Sequence, residues 1–245
     1  MTSEHAAANA DYLRFRSIAT GYDDFVAGTP LCAFDRRVVD EVFPGVTPQS
    51  ATVVDFGCGT GRTAIPLADR GYRVVAVDGS DAMLEVLALK CGGRPITPVK
   101  ADLTELSGLE ADSADGGVCL FATLGMIAGH GRRRRFLGHV SRILRRGSPL
   151  VLHVHHRWAD LVTRGGWRRL AVSAIHPAME FGDHVYPYRN LPRMFMHRYS
   201  GRELRRDLAA TGFGVRRWIA VDLTGDGPAV GRGPGGGFIV VAEVA

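Results

Sequence analysis

The feature that most constrains this chain is a change of rhythm at residue 51. From there, short apolar runs alternate with amphipathic segments. Residues 51–56, 73–77, 96–101, 115–121 and 150–155 read as strands, with helices expected over 60–70, 81–89 and 132–144. Near-continuous Val and Leu in those strands fit a parallel sheet covered by helices on both faces. With 245 residues and 46% hydrophobic content, the chain can fill one α/β domain and is too apolar for disorder. Upstream, residues 10–27 carry Tyr12, Phe15, Ile18, Ala19 and Tyr22 at helical steps, and residues 31–43 carry Phe34, Val38, Val39 and Val42 likewise. Downstream, residues 158–199 hold many aromatics and prolines but no single period. Ser200 and Glu203 have capping-box spacing and open a helix that stops before Gly212. Residues 215–222 and 238–244 then read as two strands whose connection holds no crossover helix, so they pair antiparallel at a sheet edge. The plan is a single domain: an N-terminal helical cap (1–48), a core (51–155), a lid (157–199), and a helix with a terminal hairpin (200–245).

Composition narrows the class further. Cys32, Cys58, Cys91 and Cys119 are scattered without metal-ligand spacing, which predicts no metal and reduced thiols in a cytoplasmic protein. The longest uncharged stretch, 116–129, is 14 residues, too short to span a bilayer, and the N-terminus lacks the pattern of an export signal. No membrane partner is expected, and nothing in the sequence speaks to oligomeric state. The net charge of +5 is unevenly spread: residues 1–115 hold 17 acidic against 10 basic groups, and residues 116–245 hold 20 arginines against 8 acidic groups. That asymmetry reads either as a solvated surface or as a site for an anionic partner, a phosphorylated metabolite or RNA.

The chemistry-bearing segment is Val53-Val54-Asp55-Phe56-Gly57-Cys58-Gly59-Thr60-Gly61-Arg62. A strand runs into a loop with glycine at every second position, where a ligand approaches the backbone without meeting a Cβ. The third glycine is misplaced for a dinucleotide fingerprint, which argues against a pyrophosphate site. Asp78 ends the second strand and Asp102 the third, both at carboxyl ends where open α/β sheets bind ligands.

Taken together, these residues resemble class I S-adenosylmethionine-dependent methyltransferases. Asp55 to Gly61 looks like the family's first motif, Val77-Asp78-Gly79-Ser80 with Met83 like the second, and Ala101-Asp102-Leu103 like the motif flanking adenine. The resemblance covers residues 50–155 and, more weakly, the terminal helix and hairpin. It implies a doubly wound, Rossmann-like seven-stranded sheet with an antiparallel last strand, and S-adenosylmethionine as cofactor. It assigns Asp55, Gly57, Cys58, Gly59 and Gly61 to the cofactor loop, the glycines cradling the methionine part. Asp78 and Gly79 fall at the ribose, Asp102, Leu103 and Met83 at the adenine, and Phe121 and Ala122 near the sulfonium. Tyr22 sits where relatives carry an aromatic residue over the cofactor.

Methyl transfer from a sulfonium is an in-line displacement, so the protein mainly supplies alignment and a dry site. If the acceptor must lose a proton, His155 or His156 at the end of the fifth strand is the expected base. Arg193, His197, Arg198 and Tyr199, in the basic lid, are expected to bind the acceptor. That acceptor reads as a small molecule, with an anionic group in view. RNA of the tRNA wobble-uridine type is the alternative, and a non-catalytic S-adenosylmethionine-binding module is a third reading.

Overall fold

The computed structural model describes residues 9, 13, 16–45, 51–162, 165–189, 191–229 and 235–245. Tyr12 and Phe15 of the expected first helix lie outside them. Three helices open the described chain: α1 (Arg16–Thr20), α2 (Tyr22–Ala27) and α3 (Pro30–Val42). The alternating core comes next as β1 (Thr52–Phe56), α4 (Ala64–Asp69), β2 (Arg73–Asp78), α5 (Asp81–Cys91), β3 (Ile96–Lys100), β4 (Gly116–Cys119), α6 (His130–Ile143) and β5 (Pro149–His155). Then come α7 (Gly166–Ile175), a hairpin of β6 (Asp183–Tyr188) and β7 (Leu191–His197), α8 (Gly201–Ala210), β8 (Phe213–Val221) and β9 (Gly237–Val244). Seven strands form one sheet in the order β3-β2-β1-β4-β5-β9-β8, parallel from β3 to β5, with β9 antiparallel to both neighbours.

Alternation along the strands divides the core. Val54, Phe56, Leu152 and Val240 face one way, against Phe136, Val140, Leu204 and Leu208 of α6 and α8. Val53, Val74, Val151 and Ile239 face the other, against Val38, Leu67 and Leu87 of α3, α4 and α5. Period-2 burial on both sides is why these strands read as unbroken apolar runs.

Two local expectations change. The helix expected over 60–70 starts only at Ala64, because Gly61 sits at φ +91°, outside right-handed helical space. The segment without a period contains α7 and the β6–β7 hairpin. Trp167, Val172 and Ile175 of α7 are exposed, which blurs its amphipathic face. The capping box is present: Glu203 N donates to Ser200 Oγ at 3.2 Å, and Ser200 N to Glu203 Oε2 at 3.4 Å. No described helix is long and apolar enough to cross a membrane.

Candidate active site

A cavity of about 800 Å³ opens over the carboxyl ends of β1, β2 and β4 and extends beneath the β6–β7 hairpin. One end is built largely from backbone. After Phe56 the chain turns through Gly57 and Gly59, at φ +80° and +53°, and Gly57 N and Cys58 N donate to Val77 O at 2.8 and 3.0 Å. The glycines serve different ends. A Cβ on Gly57 would stand 2.4 Å from Thr123 Cγ2, and one on Gly61 2.4 Å from Leu87 Cδ1 in the core. A Cβ on Gly59 would meet the Tyr22 ring at 3.4 Å. Gly57 and Gly59 line the cavity; Gly61, expected beside the ligand, serves packing against α5 instead.

Asp78 is buried with its carboxylate held from below, Oδ2 accepting from Gly59 N at 2.8 Å and Oδ1 from Ser80 N at 2.9 Å. Burial raises its pKa, and the backbone donors of Ser80, Gly59 and Gly79 oppose that rise. Asp102 is different: Thr104 N and Oγ1 both donate to its Oδ1 at 2.8 Å, Arg132 reaches Oδ2 at 3.2 Å, and 55% of its side chain is exposed. Asp55 lies below the loop rather than on the cavity wall. Its Oδ2 has no partner among the described residues, and burial pushes its pKa up to about 7 against the nearby Arg62. Arg62 itself forks onto Asp35 at 2.7 and 2.9 Å, fastening α3 beneath the glycine loop.

The other end is built from side chains. Phe25, Thr123, Met126, His155, Tyr186, Tyr188, Met194 and Met196 line it. Phe25 meets Phe121 edge-on at 6.1 Å and Tyr188 at 6.0 Å, and Tyr188 meets Tyr186 at 6.4 Å. Phe121 and Ala122 both have positive φ, +52° and +62°, a strained exit from β4 of the kind that gathers at functional sites. Burial raises the pKa of Tyr22 steeply and that of Tyr188 to about 12, so both phenols stay neutral. The hairpin is stitched to the N-terminal segment at two places. Arg189 donates to Ile18 O at 3.1 Å and Gly21 O at 3.0 Å, and Asn9 exchanges hydrogen bonds with Phe195 N and O at 2.9 and 3.2 Å.

Tyr22, Gly57, Gly59, Asp78, Gly79, Met83, Asp102, Leu103, Phe121 and His155 therefore meet at one cavity. Asp55, Cys58, Gly61 and Ala122 lie behind its wall. His156 points away, its Nδ1 3.2 Å from Gly235 O and its ring packed on Phe238 at 4.6 Å, so it is no longer a candidate base. The four expected acceptor contacts are also displaced. Along β7, Met194 and Met196 face the cavity, so Arg193 and His197 share the opposite face, and Arg193 is exposed there. His197 is fully buried, with its Nδ1 2.6 Å from Asp183 and its Nε2 2.9 Å from Glu203. Arg133 and Arg157 complete that cluster through Glu180 and Glu203, fixing the base of the hairpin. Tyr199 is buried beside Arg133, and Arg198, just past β7, does not line the cavity. The signal that marks the cavity face is the alternation Tyr186-Pro187-Tyr188 and Met194-Phe195-Met196, legible once the segment is known to be a hairpin.

Residues 53–147 match the family described as "Methyltransferase domain". The methyltransferase-like protein YqeM of Bacillus subtilis is 26% identical over 97 residues, 39% of this chain and 37% of that one. The chain spans from 23% to 58% of the length of the curated relatives it matches. An S-adenosylmethionine-dependent methyltransferase from Methanosarcina mazei shares the fold with a TM-score of 0.68 at 18% identity, over 84% of this chain and 96% of that one. So does 1,6-didemethyltoxoflavin-N1-methyltransferase of Burkholderia thailandensis, whose structure holds 1,6-didemethyltoxoflavin and S-adenosylhomocysteine. Its TM-score is 0.68 at 17% identity, over 100% of this chain and 91% of that one.

Proposed function

We propose, from the premise that the chain belongs to the class I S-adenosylmethionine-dependent methyltransferase family, that it transfers a methyl group to a small-molecule acceptor held beneath the hairpin. The observation that carries this reading is the continuity of the cavity. It runs from Asp78 and the glycine loop to a separate aromatic chamber, and its volume lies in the upper part of the roughly 300–1,000 Å³ range of small-molecule sites. The residues fit the cofactor. Gly57 and Gly59 offer backbone without Cβ, Asp78 presents a buried carboxylate to a diol, and Met83 and Leu103 supply apolar cover for a flat base. When bound, S-adenosylmethionine supplies an activated methyl group on sulfur. Tyr22 and Phe121 then exclude water at the junction of the two ends. His155 is the only histidine lining the cavity among the described residues, and its imidazole accepts the proton if the acceptor carries one. The free thiols of Cys32, Cys58, Cys91 and Cys119 support a reducing, cytoplasmic site of action.

The basic second part of the chain lends RNA little support. Arg132, Arg135, Arg145 and Arg217 pair with Asp102, Glu105, Asp115 and Glu41, all of them acidic residues of the first part. The test is incubation with methyl-labelled S-adenosylmethionine and a cell extract divided into small-molecule and RNA fractions. Label entering the small-molecule fraction, lost in His155→Gln or Asp78→Ala, is expected. Label in RNA would replace the acceptor class, and release of no S-adenosylhomocysteine would leave a binding module.

A further inference from the structure

We infer that the acceptor is an uncharged, flat aromatic compound, recognised by the ring and thioether walls of the chamber beneath the hairpin. The inference rests on the two-ended site proposed above and adds the class of its second ligand. Charge comes first. Among the described residues, the charged side chains lining the whole cavity are Asp78, Lys100, Asp102 and Arg132, and all four belong to the cofactor end. Both cations are engaged there, Lys100 with Asp81 and Arg132 with Asp102. Arg189, the nearest basic residue of the hairpin turn, is spent on the carbonyls of Ile18 and Gly21 and lies over the Phe25 ring at 5.3 Å. Apart from His155, the described lining of this chamber offers an anionic acceptor no counter-ion for the hydration it would lose, and burying an uncompensated charge is strongly unfavourable. Among the described residues, a cationic acceptor meets ring faces but no carboxylate in this chamber.

Shape comes second. Phe25, Tyr188 and Tyr186 form a continuous edge-to-face series, with ring planes at 89° for both pairs. In such a series successive rings present alternating faces and edges, the complement of a planar π system. Met126, Met194 and Met196 add polarizable thioethers, which pack well on rings. Two residues apart on β6, Tyr186 and Tyr188 both face inward by the ordinary alternation of a strand, and the irregular register places its extra residue on β7, between Leu191 and Met194.

The test uses the full chain saturated with S-adenosylhomocysteine, after calorimetry has established that it binds. Failure at that first step would refute the cofactor reading, and it is distinguishable from failure of the acceptor class, which only the loaded protein reports. Three probes are then titrated by calorimetry and by saturation-transfer NMR: 2-naphthol, 2-naphthoate, and 2-decalol as a saturated ring of similar outline. We expect saturable 2-naphthol binding at least tenfold tighter than either of the others. Tyr188→Leu and Tyr186→Leu, which keep apolar volume but remove a ring, should each weaken 2-naphthol about two- to tenfold, what an aromatic pair contributes. S-adenosylhomocysteine affinity in both variants should match the parent, which also certifies their folding. Equal or tighter binding of 2-naphthoate would overturn the uncharged class, and equal binding of 2-decalol the aromatic one. No saturable 2-naphthol binding at millimolar concentration would overturn both.

Discussion

The two ends of the cavity are made in opposite ways. At the cofactor end, ligand-facing atoms come mainly from the exits of β1, β2 and β3, and the one buried carboxylate on the cavity wall, Asp78, is aimed by the backbone N–H groups of Gly59 and Ser80. At the acceptor end, side chains from α2, the β4 exit, β5 and the hairpin converge from segments far apart in sequence, and no backbone loop organises them. The first construction tolerates almost no change because peptide geometry is fixed. The second changes its preference by exchanging one side chain for another. A single fold thereby keeps one ligand constant while the other is free to vary.

The widest separation between the two ends should come from Asp78→Ala. A carboxylate accepting two hydroxyl hydrogen bonds contributes about 1.5–3 kcal/mol for each. S-adenosylhomocysteine affinity should fall by at least about 100-fold by calorimetry, with 2-naphthol binding at the far end changed less than about twofold. Equal losses at both ends would erase the distinction. Gly57→Ala should come next, costing about 1–3 kcal/mol in urea unfolding through its positive φ and the collision with Thr123. Adding Thr123→Ala should restore only the steric share; full recovery would mean that φ at Gly57 is irrelevant.

Asp55 provides a pH-dependent test of the same end. Its folded pKa of about 7 lies above the ordinary 3.8, so the folded state holds that proton longer than the unfolded chain does. Its contribution is therefore complete below about pH 4 and is lost as pH rises towards 7. Asp55→Asn should flatten that decline in urea titrations at pH 4, 5.5 and 7.5. It should not abolish it, because Asp35 and Asp78 are shifted the same way. An unchanged slope would refute the burial account. The smallest effect is expected from Arg132→Ala. Exposed ion pairs contribute about 0–1 kcal/mol, so S-adenosylhomocysteine affinity should move less than about threefold. A larger loss would make the Arg132–Asp102 pair part of the binding machinery.

The same contrast explains what could be read from the chain alone. Glycine spacing, Asp78 and the strand ends are legible because they are local, and the terminal hairpin announces itself by leaving no room for a crossover. Polar residues of the lid look functional in isolation, yet Arg193 and His197 fall on the wrong face of β7, and His197 is consumed by Asp183 and Glu203. Facing depends on register, and register in a two-stranded hairpin interrupted by Pro187 is set by tertiary packing that no short period reveals. Part of the arginine surplus has internal partners that spacing along the chain does not reveal, in acidic residues some 30 residues back for Arg132, Arg135 and Arg145 and 176 back for Arg217.

The seams at Arg189 and Asn9 carry one more consequence. The two covers over the cavity arrive from distant parts of the chain, yet each is tied to the other, so neither swings alone. Joined in this way, the hairpin and the described residues of the N-terminal segment form one continuous wall over the chamber. Asn9 belongs to both the seam and the cavity wall, so a change at this one residue reaches the hairpin, the N-terminal segment and the chamber at once.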